Sequence, residues 1–170
     1  HDVLCDDTNY ELTSVVDLVK KAKSGEFSFP DADVVTGGFP CQSFSVAGKR
    51  RGFNDLKSDK NEIIEEPTPE NRGMLYYWMR EVIGLVNPKM FVAENVKGLV
   101  SLGDAKDVIE HDFSTIGNGY VVVPARVMHV ANYGVAQNRE RVIFFGFNKQ
   151  FLTEAAAHQL QQEIIDAVYD

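Results

Sequence analysis

The sequence predicts an α/β fold organised on a largely parallel sheet, and three observations carry that prediction. Val34-Val35-Thr36 and Met90-Phe91-Val92-Ala93 are short apolar runs with the length of buried strands. Between such runs lie longer stretches whose apolar residues recur at helical spacing. Strand and helix alternate along the chain, which is the pattern of βαβ units.

Taken in order, residues 2–5 predict a short strand. Residues 12–23 predict a helix with Leu12, Val15, Val16, Val19 and Ala22 on one face, ended by Gly25. The 34–36 strand runs into Gly37-Gly38-Phe39-Pro40-Cys41-Gln42-Ser43-Phe44-Ser45, where two glycines permit positive φ or close approach of the backbone to a ligand. In residues 56–70, Lys57 and Lys60 lie among Asp59, Glu62, Glu65, Glu66 and Glu70, with Pro67 and Pro69, the composition of an exposed insertion. Residues 73–86 predict a helix through Leu75, Trp78, Met79, Val82 and Val86, stopped by Asn87-Pro88. The apolar run 90–93 ends in Glu94-Asn95-Val96. A helix over 104–116 leads to strand-like runs at 120–123 and 126–130. Gln137 to Arg141 precede a strand at 142–147, and residues 153–168 predict an amphipathic helix.

The 170 residues, 44% hydrophobic and 25% charged, are those of one globular domain able to bury a core. No run approaches bilayer-spanning length, and His1-Asp2-Val3-Leu4 lacks the basic start and apolar core of a signal peptide. The expectation is a soluble, cytoplasmic protein with no membrane partner. Cys5 and Cys41 are the only cysteines, and His1, His111, His129 and His158 are scattered, which argues against a disulfide framework or a metal site. A formal net charge of −8 speaks weakly against a nucleic-acid partner, with Lys49-Arg50-Arg51 as a local basic exception.

Three features carry candidate chemistry. Cys41 stands on a loop at a strand end, where α/β sheets bind ligands; taken alone, it reads first as a small buried hydrophobe. Glu94 ends a buried strand, which costs desolvation unless the carboxyl is paired or protonated; a salt-bridged surface acid is the plain alternative. Arg139 and Arg141, at i and i+2, share a face and can converge on one anionic or carbonyl group, though edge charges commonly flank a strand.

Together, Gly38-Phe39-Pro40-Cys41-Gln42, Arg72-Gly73-Met74-Leu75, Glu94-Asn95-Val96 and Gln137-x-Arg139-x-Arg141, in this order, closely resemble the DNA cytosine-5 methyltransferase family. The resemblance covers residues 33–147, including the approach Ala131-Asn132-Tyr133-Gly134-Val135-Ala136. It implies an incomplete Rossmann-like methyltransferase domain over 1–147, with a mostly parallel sheet, helices on both faces and a carboxyl-terminal antiparallel strand, then a helical extension over 148–170. It also implies methyl transfer from S-adenosyl-L-methionine to carbon 5 of a cytosine flipped out of double-stranded DNA, through a covalent Cys41 adduct. In that scheme Glu94, protonated with the help of burial, serves the ring nitrogen N3, and Arg141 contacts the base carbonyl O2. Arg139 holds the nucleophile loop and a neighbouring phosphate, Asn95 bonds the Pro40-Cys41 backbone, and Gln137 gives support. Gln42, Ser45, Lys49, Arg50 and Arg51 match the DNA-facing loop. Asp2, Pro40 and Leu75 match part of a cofactor site.

Several family features have no match. They are the phenylalanine and glycine-rich cofactor loop, the acidic ribose-binding residue, the target-recognition domain and the carboxyl-terminal motifs. Asp55 and Arg72 are separated by the acidic insertion. The expectation is therefore the central segment of a catalytic domain, inactive by itself, with double-stranded DNA as substrate and its missing motifs supplied by a longer or complementary chain. The alternative is a non-catalytic fragment that binds DNA or a partner. An unrelated protein with a redox-active Cys41 lacks a nearby resolving cysteine.

Overall fold

The computed structural model describes residues 12–39 and 75–169, with the backbone alone at Leu75, Glu154, Val168 and Tyr169. The predicted 2–5 strand, the Cys41 loop and the 56–70 insertion lie outside the described residues.

Helix α1 (Val15–Ser24) begins where the Ser14 hydroxyl accepts a hydrogen bond from the Val16 N–H at 3.3 Å, and ends at Gly25 with φ 81°. This start corrects the expected one. Leu12 precedes the helix and is fully exposed, Val15 is 44% exposed, and only Val16 and Val19 are buried, against Trp78 of the next helix. The apolar spacing was right, but the serine cap sets which turn is first.

Strand β1 (Val34–Gly38) and strand β2 (Met90–Val96) pair in parallel, Gly37 opposite Ala93 and Gly38 opposite Glu94. Helix α2 (Leu75–Val86) lies between them in sequence. β2 is longer than the apolar run implied, so Glu94 and Asn95 belong to the strand. After a 3₁₀ turn (Lys97–Ser101) comes helix α3 (Ala105–Ser114), then strand β3 (Tyr120–His129) and strand β4 (Glu140–Asn148). The two strand-like runs expected at 120–123 and 126–130 are one strand. Its register shifts between Val123 and Arg126, around Pro124, which has no N–H to give the ladder. The next N–H, that of Ala125, is taken instead by the Glu110 carboxylate of α3 at 2.6 Å.

The sheet order is β1-β2-β4-β3. β4 inserts antiparallel between β2 and β3, so three strands share one direction and the carboxyl-terminal one opposes them. Helix α4 (Glu154–Ile164), capped by Thr153, packs on β3 and passes into a π turn (Ile165–Tyr169).

Tyr76, Met79 and Ile83 of α2 and Ile109 and Phe113 of α3 meet Phe91, Ala93, Val142 and Phe144 of the sheet in the main core. Tyr76 and Ile83 lay off the apolar stripe read from the sequence. Tyr76 is buried because its hydroxyl donates to Asp112 at 2.6 Å, satisfying the one polar atom it carries inward. At the far end of β2, the buried Asn148 side chain donates to Pro88 O, at 3.1 Å, and to Asn87 Oδ1, at 2.8 Å. Tyr120 Oη donates to the same Pro88 carbonyl at 2.8 Å. Among the described residues, no helix is long and apolar enough to cross a membrane.

Candidate active site

Among the described residues, the candidates Glu94, Asn95, Arg139 and Arg141 gather where β2 ends and β4 begins. Side chains alternate along a strand, so Phe91, Ala93 and Asn95 face the core while Glu94 faces the opposite side of the sheet. Directly across the antiparallel pair from Glu94 is Ile143, and Arg141 is its diagonal neighbour on the same face. Arg141 Nε lies 2.5 Å from Glu94 Oε1, and Arg139 Nη2 lies 3.3 Å from the same oxygen. Arg141 Nη1 also donates to the Glu140 carbonyl at 2.8 Å. Two guanidinium groups thus converge on one carboxylate oxygen.

The burial expected for Glu94 is only partial, its side chain being 36% exposed. Its environment is one of charge pairing at a strand end rather than of an apolar pocket. The bare backbone of Gly38 makes room for it: a Cβ there would stand 3.2 Å from Glu94 Oε2.

Asn95, on the core side, is 2% exposed. Its Nδ2 donates to the Phe39 carbonyl at 2.9 Å, and its Oδ1 accepts from the Val96 N–H at 2.8 Å. The bond reaches the carbonyl that enters Pro40. The ring of Phe39 is itself packed among Tyr76, Phe113 and Phe144, with centroids 6.2 to 6.4 Å away. Both ends of Phe39 are therefore held, two residues before Cys41 in sequence. Gln137 acts through its backbone, its N–H donating to Val135 O at 2.7 Å and its carbonyl accepting from the Arg139 N–H at 3.1 Å.

A cavity of about 410 Å³ opens beside these groups, lined by Val96, Lys97 and Gly98 and by residues 137–141. Lys97 and Glu140 of this lining form an ion pair, Nζ lying 2.8 Å from each carboxylate oxygen. Neither residue is singled out by the motifs; the signal available was their adjacency to Val96 and to the two arginines. Cys41, Asp2, Pro40, Gln42, Ser45, Lys49, Arg50 and Arg51 lie outside the described residues, and Leu75 is described only as the first backbone position of α2.

Comparison with known proteins gives concordant matches. A family model described as C-5 cytosine-specific DNA methylase matches residues 7–168. Type II methyltransferase M.Sau96I of Staphylococcus aureus is 36% identical over 129 residues, covering 76% of this chain and 26% of that protein. Type II methyltransferase M.HpaII of Haemophilus parainfluenzae is 37% identical over 123 residues, 69% of this chain and 29% of its own. Type II methyltransferase M.FnuDI of Fusobacterium nucleatum is 36% identical over 145 residues, 82% and 37%. The chain thus spans about a quarter to just over a third of the length of these relatives. Among solved structures, the S. pombe Dnmt2 methyltransferase aligns over 85% of this chain and 38% of that one, at 17% identity and a TM-score of 0.49.

Proposed function

Because the chain belongs to the C-5 cytosine-specific DNA methylase family, we propose that it carries the catalytic centre of a DNA cytosine-5 methyltransferase. In this reading Cys41 is the nucleophile, and Glu94, Arg139 and Arg141 polarise a cytosine flipped from double-stranded DNA. The observation that carries the reading is the convergence of both arginines on Glu94 Oε1, on the strand that pairs with the one leading into the Cys41 segment.

The chemistry needs these groups together. Carbon 5 of cytosine is a weak nucleophile. Addition of the Cys41 thiolate forms a bond to carbon 6 and drives an electron pair toward N3, where the Glu94 carboxyl delivers a proton. Arg141 offsets charge at O2, and Arg139 steadies the carboxyl and a flanking phosphate. Carbon 5 then accepts the methyl group and loses its own proton to a base. The released electron pair expels the thiolate, and N3 returns its proton to Glu94. The arginines hold Glu94 as an acceptor in the free protein, so the flipped base must displace part of that pairing.

The methyl group would come from S-adenosyl-L-methionine, which supplies it as an electrophilic carbon. Gly38, exposed at the carboxyl end of β1, stands at the edge where ligands approach α/β sheets. Asp2, Pro40 and Leu75 are the residues of this chain that would hold S-adenosyl-L-methionine. Gln42, Ser45, Lys49, Arg50 and Arg51 would meet the DNA.

The test uses DNA with 5-fluorocytosine in place of cytosine, whose fluorine cannot leave as a cation and so traps the adduct. In the enzyme completed around this chain, a denaturation-resistant DNA complex is expected that requires S-adenosyl-L-methionine. Cys41→Ser should bind DNA yet form no adduct; trapping by that variant overturns the assignment. The 170-residue chain alone is expected to give no turnover.

A further inference from the structure

We propose that the Lys97 and Glu140 ion pair is a positioning clamp that holds Arg141 on Glu94, an inference that rests on the catalytic reading of those two groups. The β2–β4 ladder ends at the pair Val96–Arg141. The next residue outward on each strand is Lys97 or Glu140, and their side chains join where the ladder stops. Glu140 stands between the two arginines in sequence, and alternation turns its side chain away from the face that Arg141 shares with Glu94. Its carboxylate therefore does not compete for the guanidinium groups. Its backbone carbonyl does the reverse, accepting from Arg141 Nη1 at 2.8 Å while Arg141 Nε holds Glu94. Fixing Glu140 thus fixes one of the two anchors of Arg141.

The approach to β4 is held by backbone bonds, the Arg139 carbonyl accepting from the Val130 N–H at 2.9 Å, and not by burial. Residues 131–139 are exposed throughout. An exposed pair contributes little to global stability, and Lys97 and Glu140 are 56% and 39% exposed. The effect belongs to local geometry at Arg141.

The 170-residue chain, ¹⁵N-labelled, tests this through solvent exchange of the Arg141 Nε proton. In Glu140→Gln and in Lys97→Gln, exchange should be about two- to fivefold faster, with the backbone spectrum and thermal midpoint unchanged. Reversing the pair, Lys97→Glu with Glu140→Lys, should restore the slow exchange. Unchanged exchange in both single variants, or failure of the reversed pair to restore it, overturns the clamp. The readout does not involve methyl transfer. Failure of the 5-fluorocytosine assay would therefore remove the catalytic reading while leaving the exchange result to be judged by itself.

Discussion

Glu94 is placed by strand pairing and loaded by charge: the register brings Arg141 diagonally across, and Arg139 adds a second guanidinium to the same oxygen. A carboxylate held in this way is positioned without being sealed from water. Under the proposed mechanism its decisive property is the ability to exchange a proton with N3. Glu94→Gln keeps the shape and both arginine contacts within reach but removes that proton, so the single-turnover rate of methyl transfer should fall about a hundredfold or more. DNA affinity should change far less. A near-wild-type single-turnover rate would remove Glu94 from the chemistry. Glu94 and the arginines were legible in sequence because strand-end position and i, i+2 spacing are local properties. Their convergence on one oxygen was not, since Arg139 and Arg141 lie 45 and 47 positions from Glu94 and reach it only through the pairing of β2 with β4, which no local pattern encodes.

At the scale of elements, the sheet stays close to α2 and α3 because small residues stand opposite large ones. Gly146 faces Phe91, and a Cβ at Gly146 would lie 2.0 Å from the Phe91 ring. Phe91 is fully buried and packs edge-on against Phe113 at 5.0 Å, so its ring has nowhere to retreat. Gly146→Ala should therefore destabilise the chain by about 3 kcal/mol, measured by urea denaturation. The added change Phe91→Leu should return part of the loss, because the two sites couple through one volume. Independent, additive effects would contradict this account. The sequence displayed Gly146 inside a strand but not the aromatic ring that requires it. The reverse holds for α1, whose apolar spacing was visible while its first turn was decided by the hydroxyl of Ser14.

Across the whole molecule, the buried phenols of Tyr76 and Tyr120 and the half-buried one of Tyr77 link stability to pH. Burial, and then the hydrogen bond and charge of Asp112, raise the Tyr76 pKa; burial and Glu81 raise that of Tyr77, and burial raises that of Tyr120. In the unfolded chain such groups ionise near about pH 10. Above that pH the unfolded state loses protons that the native state keeps, so the stability from protonated burial is complete below about pH 10 and declines as pH rises. Tyr76→Phe should cost about 1 kcal/mol at neutral pH through the lost Asp112 bond. It should also flatten the decline between about pH 10 and 11, followed by denaturant melts at each pH. An unchanged alkaline slope would exclude Tyr76 as its source.

The sequence by itself determined the alternation of strands and helices, the family, and the residue types at the candidate centre, because periodicity and short motifs are written along the chain. The tertiary structure decided what those residues touch. It placed β4 between β2 and β3, brought two arginines to one glutamate, bound Asn95 to the carbonyl before Pro40, and joined Lys97 to Glu140 beyond the last ladder rung. Apart from the pairing of β3 with β4, these contacts join residues more than forty positions apart, and only the folding of the sheet brings them within hydrogen-bond reach.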